Sequence, residues 1–263
     1  MGHWYTPEGE PMHWVEGANG QTRDTHLGDA RKLNLLPSVT GILDIIAKPA
    51  LIEWIKNQVL LAALTTPRPE GITDDEFIKI IKQSAKQQAE DAADRGNAIH
   101  DAIEGIWLGK SPTGDETLDK IAEQAVREII TYCQTDNFTP EKIVVGNGYA
   151  GKTDLSNDDF VLDYKSKDIT DKQWDAYEAG KNPYIAYPDQ CQQLVAYDEA
   201  LGTFRFATSQ IRRRRLVNVF IDRQIPGRII FHQWTPEEAE TAWKVFQNAL
   251  EIWQLTKKYV PEQ

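Results

Sequence analysis

Gly146-Asn-Gly-Tyr-Ala-Gly-Lys-Thr-Asp154, followed after a turn cluster by Phe160-Val-Leu-Asp-Tyr-Lys165, is the stretch on which the fold turns. Gly146 to Thr153 satisfies the P-loop pattern, and residues 142–145 before it could be the strand that pattern requires. A P-loop holds phosphate because its backbone amides run into the N-terminus of a helix. Here Asp154-Leu-Ser-Asn-Asp-Asp159 runs instead through turn residues straight into the next β-prone segment, with no room for a crossover helix. The nucleotide-hydrolysing reading therefore lacks its context, and a β-meander over residues 142–145, 148–155 and 160–165 is predicted.

Side chains alternate along a strand, so Asp163 and Lys165 share one face and Tyr164 takes the other. A hairpin brings Asp154 near the first face. Two carboxylates beside a lysine are costly in a core unless a divalent cation neutralises the acids, and hard oxygen ligands suit Mg2+ or Mn2+. The alternative is an exposed hairpin carrying a surface Asp–Lys pair.

On the N-terminal side of the meander the period is helical. Leu36-Pro37-Ser38 offers a helix start, Pro49 opens a second helix with Leu51, Ile52, Trp54, Ile55, Val59 and Leu60, and a long polar helix runs from Thr73 toward Trp107. Asp94-Arg95-Gly96 is its one interruption signal. A further helix over residues 115–134 has Leu118, Ile121, Ala125, Ile129 and Ile130 as its stripe. On the C-terminal side, helix is expected over 187–201, strands over 205–209, 214–221 and 228–234, and a last helix from Thr235-Pro-Glu-Glu238. Residues 1–35 show no sustained period and read as an arm with a short hairpin lying across the body. The expectation is one domain over 36–263, α/β with α+β character, in which a central mixed β-sheet is flanked by helices.

Composition narrows the function. With 41% hydrophobic and 26% charged residues over 263 positions the chain is globular, and its formal charge of −11 is opposite to that of a protein that coats DNA by charge alone. Cys133 and Cys191 are too few for a disulfide framework, a Cys-only zinc site or a four-cysteine iron–sulfur cluster. No apolar run is long enough to span a membrane and no signal peptide opens the chain, so a cytoplasmic protein is expected.

Two helical pairs add to the meander. His100 and Glu104 lie one turn apart, as do Gln193 and Tyr197. Alone, a helix histidine is more often a packed core or boundary residue than a ligand. Taken in order, however, Arg95-Gly96 with His100, Gly151-Lys-Thr-Asp154, Val161-Leu-Asp163-Tyr-Lys165 and Gln193-Leu-Val-Ala-Tyr197 resemble the motif set of the PD-(D/E)XK nuclease superfamily, in its RecB-like exonuclease branch. Within that branch the likeness is to phage exonucleases and the mitochondrial genome maintenance exonuclease, over about residues 36–255. Thr153 stands where the superfamily's name has proline, and the iron–sulfur cysteines of some relatives are missing.

That resemblance implies a restriction-endonuclease-like core with a helical N-terminal part, and a Mg2+- or Mn2+-dependent deoxyribonuclease, without an iron–sulfur cluster, acting on single strands or DNA ends in recombination or repair. It assigns metal ligation to His100, Asp154, Asp163 and the backbone carbonyl of Tyr164, and catalysis to Asp154, Asp163, Lys165, Gln193 and Tyr197. Lys165 would orient a water and stabilise phosphate charge, with Gln193 and Tyr197 holding either it or the DNA backbone. Glu104 is a candidate for an outer-shell or second-metal role, or a plain surface carboxylate. Arg95, Lys167, Arg213 and Arg215 are candidate nucleic-acid contacts, the last two within a basic run that equally suits a charged strand edge. Trp174, Tyr177, Tyr184 and Tyr187 could stack on unpaired bases or pack in the core. If phage-encoded, the protein would act in the host cytoplasm. A catalytically silent nucleic-acid-binding module on the same fold is the alternative.

Overall fold

The computed structural model describes residues 3–202, 204–205, 211–212 and 214–262. Arg213 lies outside the described residues. The N-terminal segment forms β1 (Trp4–Tyr5), β2 (Trp14–Glu16), β3 (Thr22–Asp24), α1 (Leu27–Leu33) and β4 (Leu36–Pro37). The expected hairpin is β2–β3. The short helix α1 was not legible as a period; it is fixed locally, because Asp29 accepts the His26 N–H at its start and is clamped by the Arg23 guanidinium. β1 pairs with β4, and Trp4, Ala30 and Leu35 enter the main core.

Helices α2 (Val39–Leu43), α3 (Pro49–Thr65), α4 (Asp74–Trp107) and α5 (Glu116–Cys133) follow, where the caps predict them. Ser38 accepts the Gly41 N–H, Thr73 and Glu76 form a capping box, and Asp115 accepts the N–H groups of Thr117 and Leu118. The interruption signal in α4 does not break it. Gly96 serves close approach instead, since a Cβ there would lie 2.6 Å from Ser166 Oγ.

The chain then runs through β5 (Thr139–Pro140), β6 (Ile143–Gly146), β7 (Tyr149–Lys152), β8 (Leu155–Ser156) and β9 (Phe160–Lys167) to α6 (Asp171–Glu178) and α7 (Pro188–Ala200). It finishes with β10 (Phe204–Arg205), β11 (Ile211–Arg212), β12 (Arg215–Asp222), β13 (Ile229–Gln233) and α8 (Pro236–Lys257). The central sheet has the order β13-β12-β9-β8-β5, with β12 and β9 parallel and the other pairs antiparallel. It is a mixed sheet flanked by helices, as expected. The P-loop-like stretch is the antiparallel β6–β7 hairpin, and Lys152 pairs with Glu141 rather than facing a helix N-terminus.

Alternation on the sheet separates two cores. Leu162, Tyr164, Val217, Val219 and Ile221 pack against α4 and α5. Val161 and Leu216 pack on the other face against α7 and α8 with Phe246 and Trp253, while Phe220, on the same side of β12, joins Ile169 and Ile185. Burying each such large side chain contributes about 1.5–3 kcal/mol. No helix among the described residues is long and apolar enough to cross a membrane. Both cysteines are free and buried, and burial pushes the Cys133 thiol up to about 11 and the Cys191 thiol up to about 12.

Candidate active site

The sheet opens at one point beside β9, with candidate residues on both faces of that strand. β8 pairs with β9 only at Val161 and Leu162, so farther along β9 the Tyr164 N–H has no strand partner on that side. Asp154, in the loop before β8, takes its place: its Oδ2 accepts the Tyr164 N–H at 2.6 Å. The loop itself is pinned, because Thr153 donates its N–H to the Lys142 carbonyl and the Asp154 carbonyl accepts the Glu141 N–H. His100 comes from α4 on the far side of the strand, its ring edge-on to Tyr164 and its Nδ1 3.9 Å from Asp154 Oδ2.

Asp163 lies on the opposite face, only 3% exposed, and its oxygens are fully engaged. Oδ1 accepts from Lys165 Nζ at 2.9 Å and from Gln193 Nε2 at 2.8 Å, and Oδ2 accepts from Asn218 Nδ2 at 2.7 Å. Gln193 Oε1 accepts from Lys165 Nζ at 3.2 Å, and its Nε2 donates to the Tyr197 hydroxyl at 3.1 Å. The Gln193–Tyr197 pair, one turn apart on α7, thus holds both the acid and the lysine. Gly151 makes room for this, since a Cβ there would lie 2.5 Å from the Tyr197 ring.

Electrostatics follow from the burial. Desolvation and the neighbouring Asp163 carboxylate raise the Asp154 pKa, against the pull of His100 and Lys165. Burial works against the Lys165 ammonium, but Asp163 and Asp154 outweigh it, so its pKa is raised and it stays charged. Burial followed by Asp163 pushes the Tyr197 phenol well up, which keeps it a neutral partner.

Two carboxylates, an imidazole and a strand carbonyl suit a hard divalent cation, and a cation would relieve the repulsion that raises Asp154. The donors are not gathered round one point. Among the described residues no three His, Cys, Asp or Glu side chains form a ready cation site, and Lys165 and Gln193 both hold Asp163 Oδ1.

The remaining expected residues are dispersed. Glu104 accepts from Lys110 at 3.2 Å, and Arg95 pairs with Asp115 across α4 and α5. Arg215 stacks over Phe160 at 3.7 Å, at the start of β9. Lys167 ends β9 against the rings of Tyr187 and Phe220; burial, then the Arg223 charge, lower its pKa. Trp174 and Tyr177 lie on α6, a helix the sequence reading did not predict, and pack against the Phe220 cluster. Tyr184 and Tyr187 stay exposed.

Sequence reasoning missed Asn218 and Trp234. Asn218 is the parallel-register neighbour of Asp163, and its Oδ1 accepts from Trp234 Nε1 at 2.7 Å. The signal was present as one amide interrupting the apolar run Leu216-Val-Asn-Val-Phe-Ile221. A fully buried amide needs partners, and the chain supplies two.

No family model and no curated protein matches the chain. Among solved structures it is similar to a Eubacterium rectale protein provisionally assigned as an exonuclease, at 16% identity and a TM-score of 0.41, covering 62% of this chain and 68% of that one. It is also similar to the alkaline exonuclease LHK-Exo of Laribacter hongkongensis, at 14% identity and a TM-score of 0.37, covering 84% of this chain and 91% of that one.

Proposed function

We propose that the protein is a divalent-cation-dependent nuclease that hydrolyses phosphodiester bonds of DNA, in single strands or at strand ends. The observation that supports this reading best is the opening beside β9, where Asp154, Asp163 and Lys165 meet with Gln193 holding the last two together. His100, Asp154, Asp163 and the Tyr164 carbonyl would hold the cation, which when bound polarises the scissile phosphate and lowers the pKa of a water. Lys165, kept charged by its two acidic neighbours and 30% exposed, can meet the charge that develops on the phosphate. Tyr197 and Gln193 fix its position, and Asn218 with Trp234 fixes Asp163.

A second reading, the silent binding module, is favoured by one observation: every oxygen of Asp163 already has a protein partner. End-labelled single-stranded, double-stranded and circular DNA, incubated with Mg2+, Mn2+ or chelator, separates the two. The nuclease reading expects cation-dependent cleavage that Lys165→Ala abolishes. Binding without cleavage by folded protein would overturn it in favour of the module.

A further inference from the structure

A cleft of about 540 Å³ opens where the α2–α3 connection, the end of β9 and the start of α7 meet. That is within the range of about 300–1,000 Å³ typical of small-ligand sites. Two aromatic side chains line it, Trp54 of α3 and Tyr187 before α7, and both are partly exposed, at 39% and 42%. Lys48 and Lys167 bring positive charge; Lys48 is tied to Asp44, and Lys167 Nζ sits 5.6 Å from the centre of the Tyr187 ring. Asp189 and Gln192 add polar groups to its lining.

The cleft neighbours the opening beside β9 through Lys167, Asp189 and Gln192. Lys167 lies on the same face of β9 as Lys165, two residues or roughly 7 Å farther along. Asp189 acts electrostatically on Lys165, and Gln192 precedes Gln193 on α7. A polymer whose phosphate sits at Lys165 therefore has its adjoining unit at the cleft. Ring faces with a cation beside them suit a flat heteroaromatic base and its phosphate, and an acidic group in the lining suits the amino edge of a base.

We infer that this cleft receives the unpaired base of the nucleotide next to the reacting phosphate, between the Trp54 and Tyr187 rings, with Lys167 on the phosphate. The inference rests on the nuclease reading and narrows it: a base held this way cannot remain stacked and paired, so the substrate is a single strand or a frayed end. An intact duplex must first pay for unstacking.

The test uses the full chain and two fluorescent probes of equal length, a thymidine strand and an abasic strand with the same phosphates. Fluorescence anisotropy in chelator measures binding without turnover. Wild-type protein is expected to prefer the base-bearing strand, and Trp54→Ala or Tyr187→Ala to weaken that binding about 5- to 100-fold while leaving abasic binding in place. Leu64→Ala, on the same helix but 84% exposed and away from the cleft, serves as the folding and surface control and is expected to bind as wild type. Equal affinity for both probes, or equal losses on both in the aromatic variants, overturns the cleft. If the base preference and its loss appear but no strand is cut with any cation, the cleft stands and the nuclease reading falls. If strands are cut but bases do not matter, the reverse holds; if no DNA binds, both fall.

Discussion

Helices α3 and α8 carry large apolar side chains, and the molecule treats them in opposite ways. α8 buries Ala239, Ala242, Phe246, Ala249 and Trp253 against α7 and the sheet. α3 is the more apolar in sequence, yet of its residues only Ala62 is fully buried; Leu51, Ile52, Ile55, Leu60, Leu61 and Leu64 face outward. Its contacts are with the first half of α4, in a small cluster with Ile81 and Ala85. Burial is thus decided by the surface a helix meets, and apolar content says only what burial would gain.

The largest effect should follow from cutting into the α8 side. Phe246 is fully buried, stacked on Trp243 and edge-on to Tyr149, whose hydroxyl donates to the Ala196 carbonyl on α7. Phe246→Ala is expected to cost about 3–5 kcal/mol, read from the urea midpoint at constant slope. A loss under about 1 kcal/mol would mean that α8 is no better anchored than α3, and the contrast between them would be gone.

The two carboxylates of the site sharpen the comparison, because one is satisfied and the other strained. Asp163→Ala strands Asn218, Gln193 and Lys165, so about 2–4 kcal/mol of stability should be lost together with hydrolysis. Asp154→Asn should also abolish hydrolysis but should stabilise the cation-free protein at neutral pH. The folded Asp154 carboxyl has a raised pKa, so between the usual carboxylate range and that raised value the native state holds a proton that the unfolded chain has released. Stability therefore falls as pH rises from the usual carboxylate range through the raised value. Denaturant midpoints from acid to neutral pH should show this decline in wild type and a flatter curve in Asp154→Asn. Parallel curves would remove the claim of strain.

Legibility in the sequence followed the same division. Caps and periods located α4, α5, α7 and α8 because their ends are set by neighbours in the chain, such as Asp115, Tyr187-Pro188 and Thr235. The alternation of Asp163, Tyr164 and Lys165 was readable for the same reason. What stayed hidden depends on distant pairing. Asn218 meets Asp163 only through the parallel register of β12 with β9, and α6 has no fully buried residue, so its helical period carries no apolar stripe to read. The exposure of α3 was hidden too, since a sequence records apolar residues but not whether the fold provides a surface for them.

The smallest expected effect lies on α3. Leu64 is 84% exposed, so Leu64→Ala removes almost no native contact and substitutes the best helix former for a good one. The urea midpoint should move by no more than about 0.5 kcal/mol in either direction. Leu61, 50% exposed and adjacent in the chain to the buried Ala62, should cost slightly more in the same assay. Set beside Phe246→Ala, this pair gives a graded series from covered to uncovered apolar surface. A Leu64→Ala loss of 2 kcal/mol or more, the range of about 2–5 kcal/mol found for leucines truncated inside a core, would require a covered leucine. Sedimentation at the same protein concentrations would then show whether a second copy of the chain is what covers it, because burial by association makes stability depend on concentration.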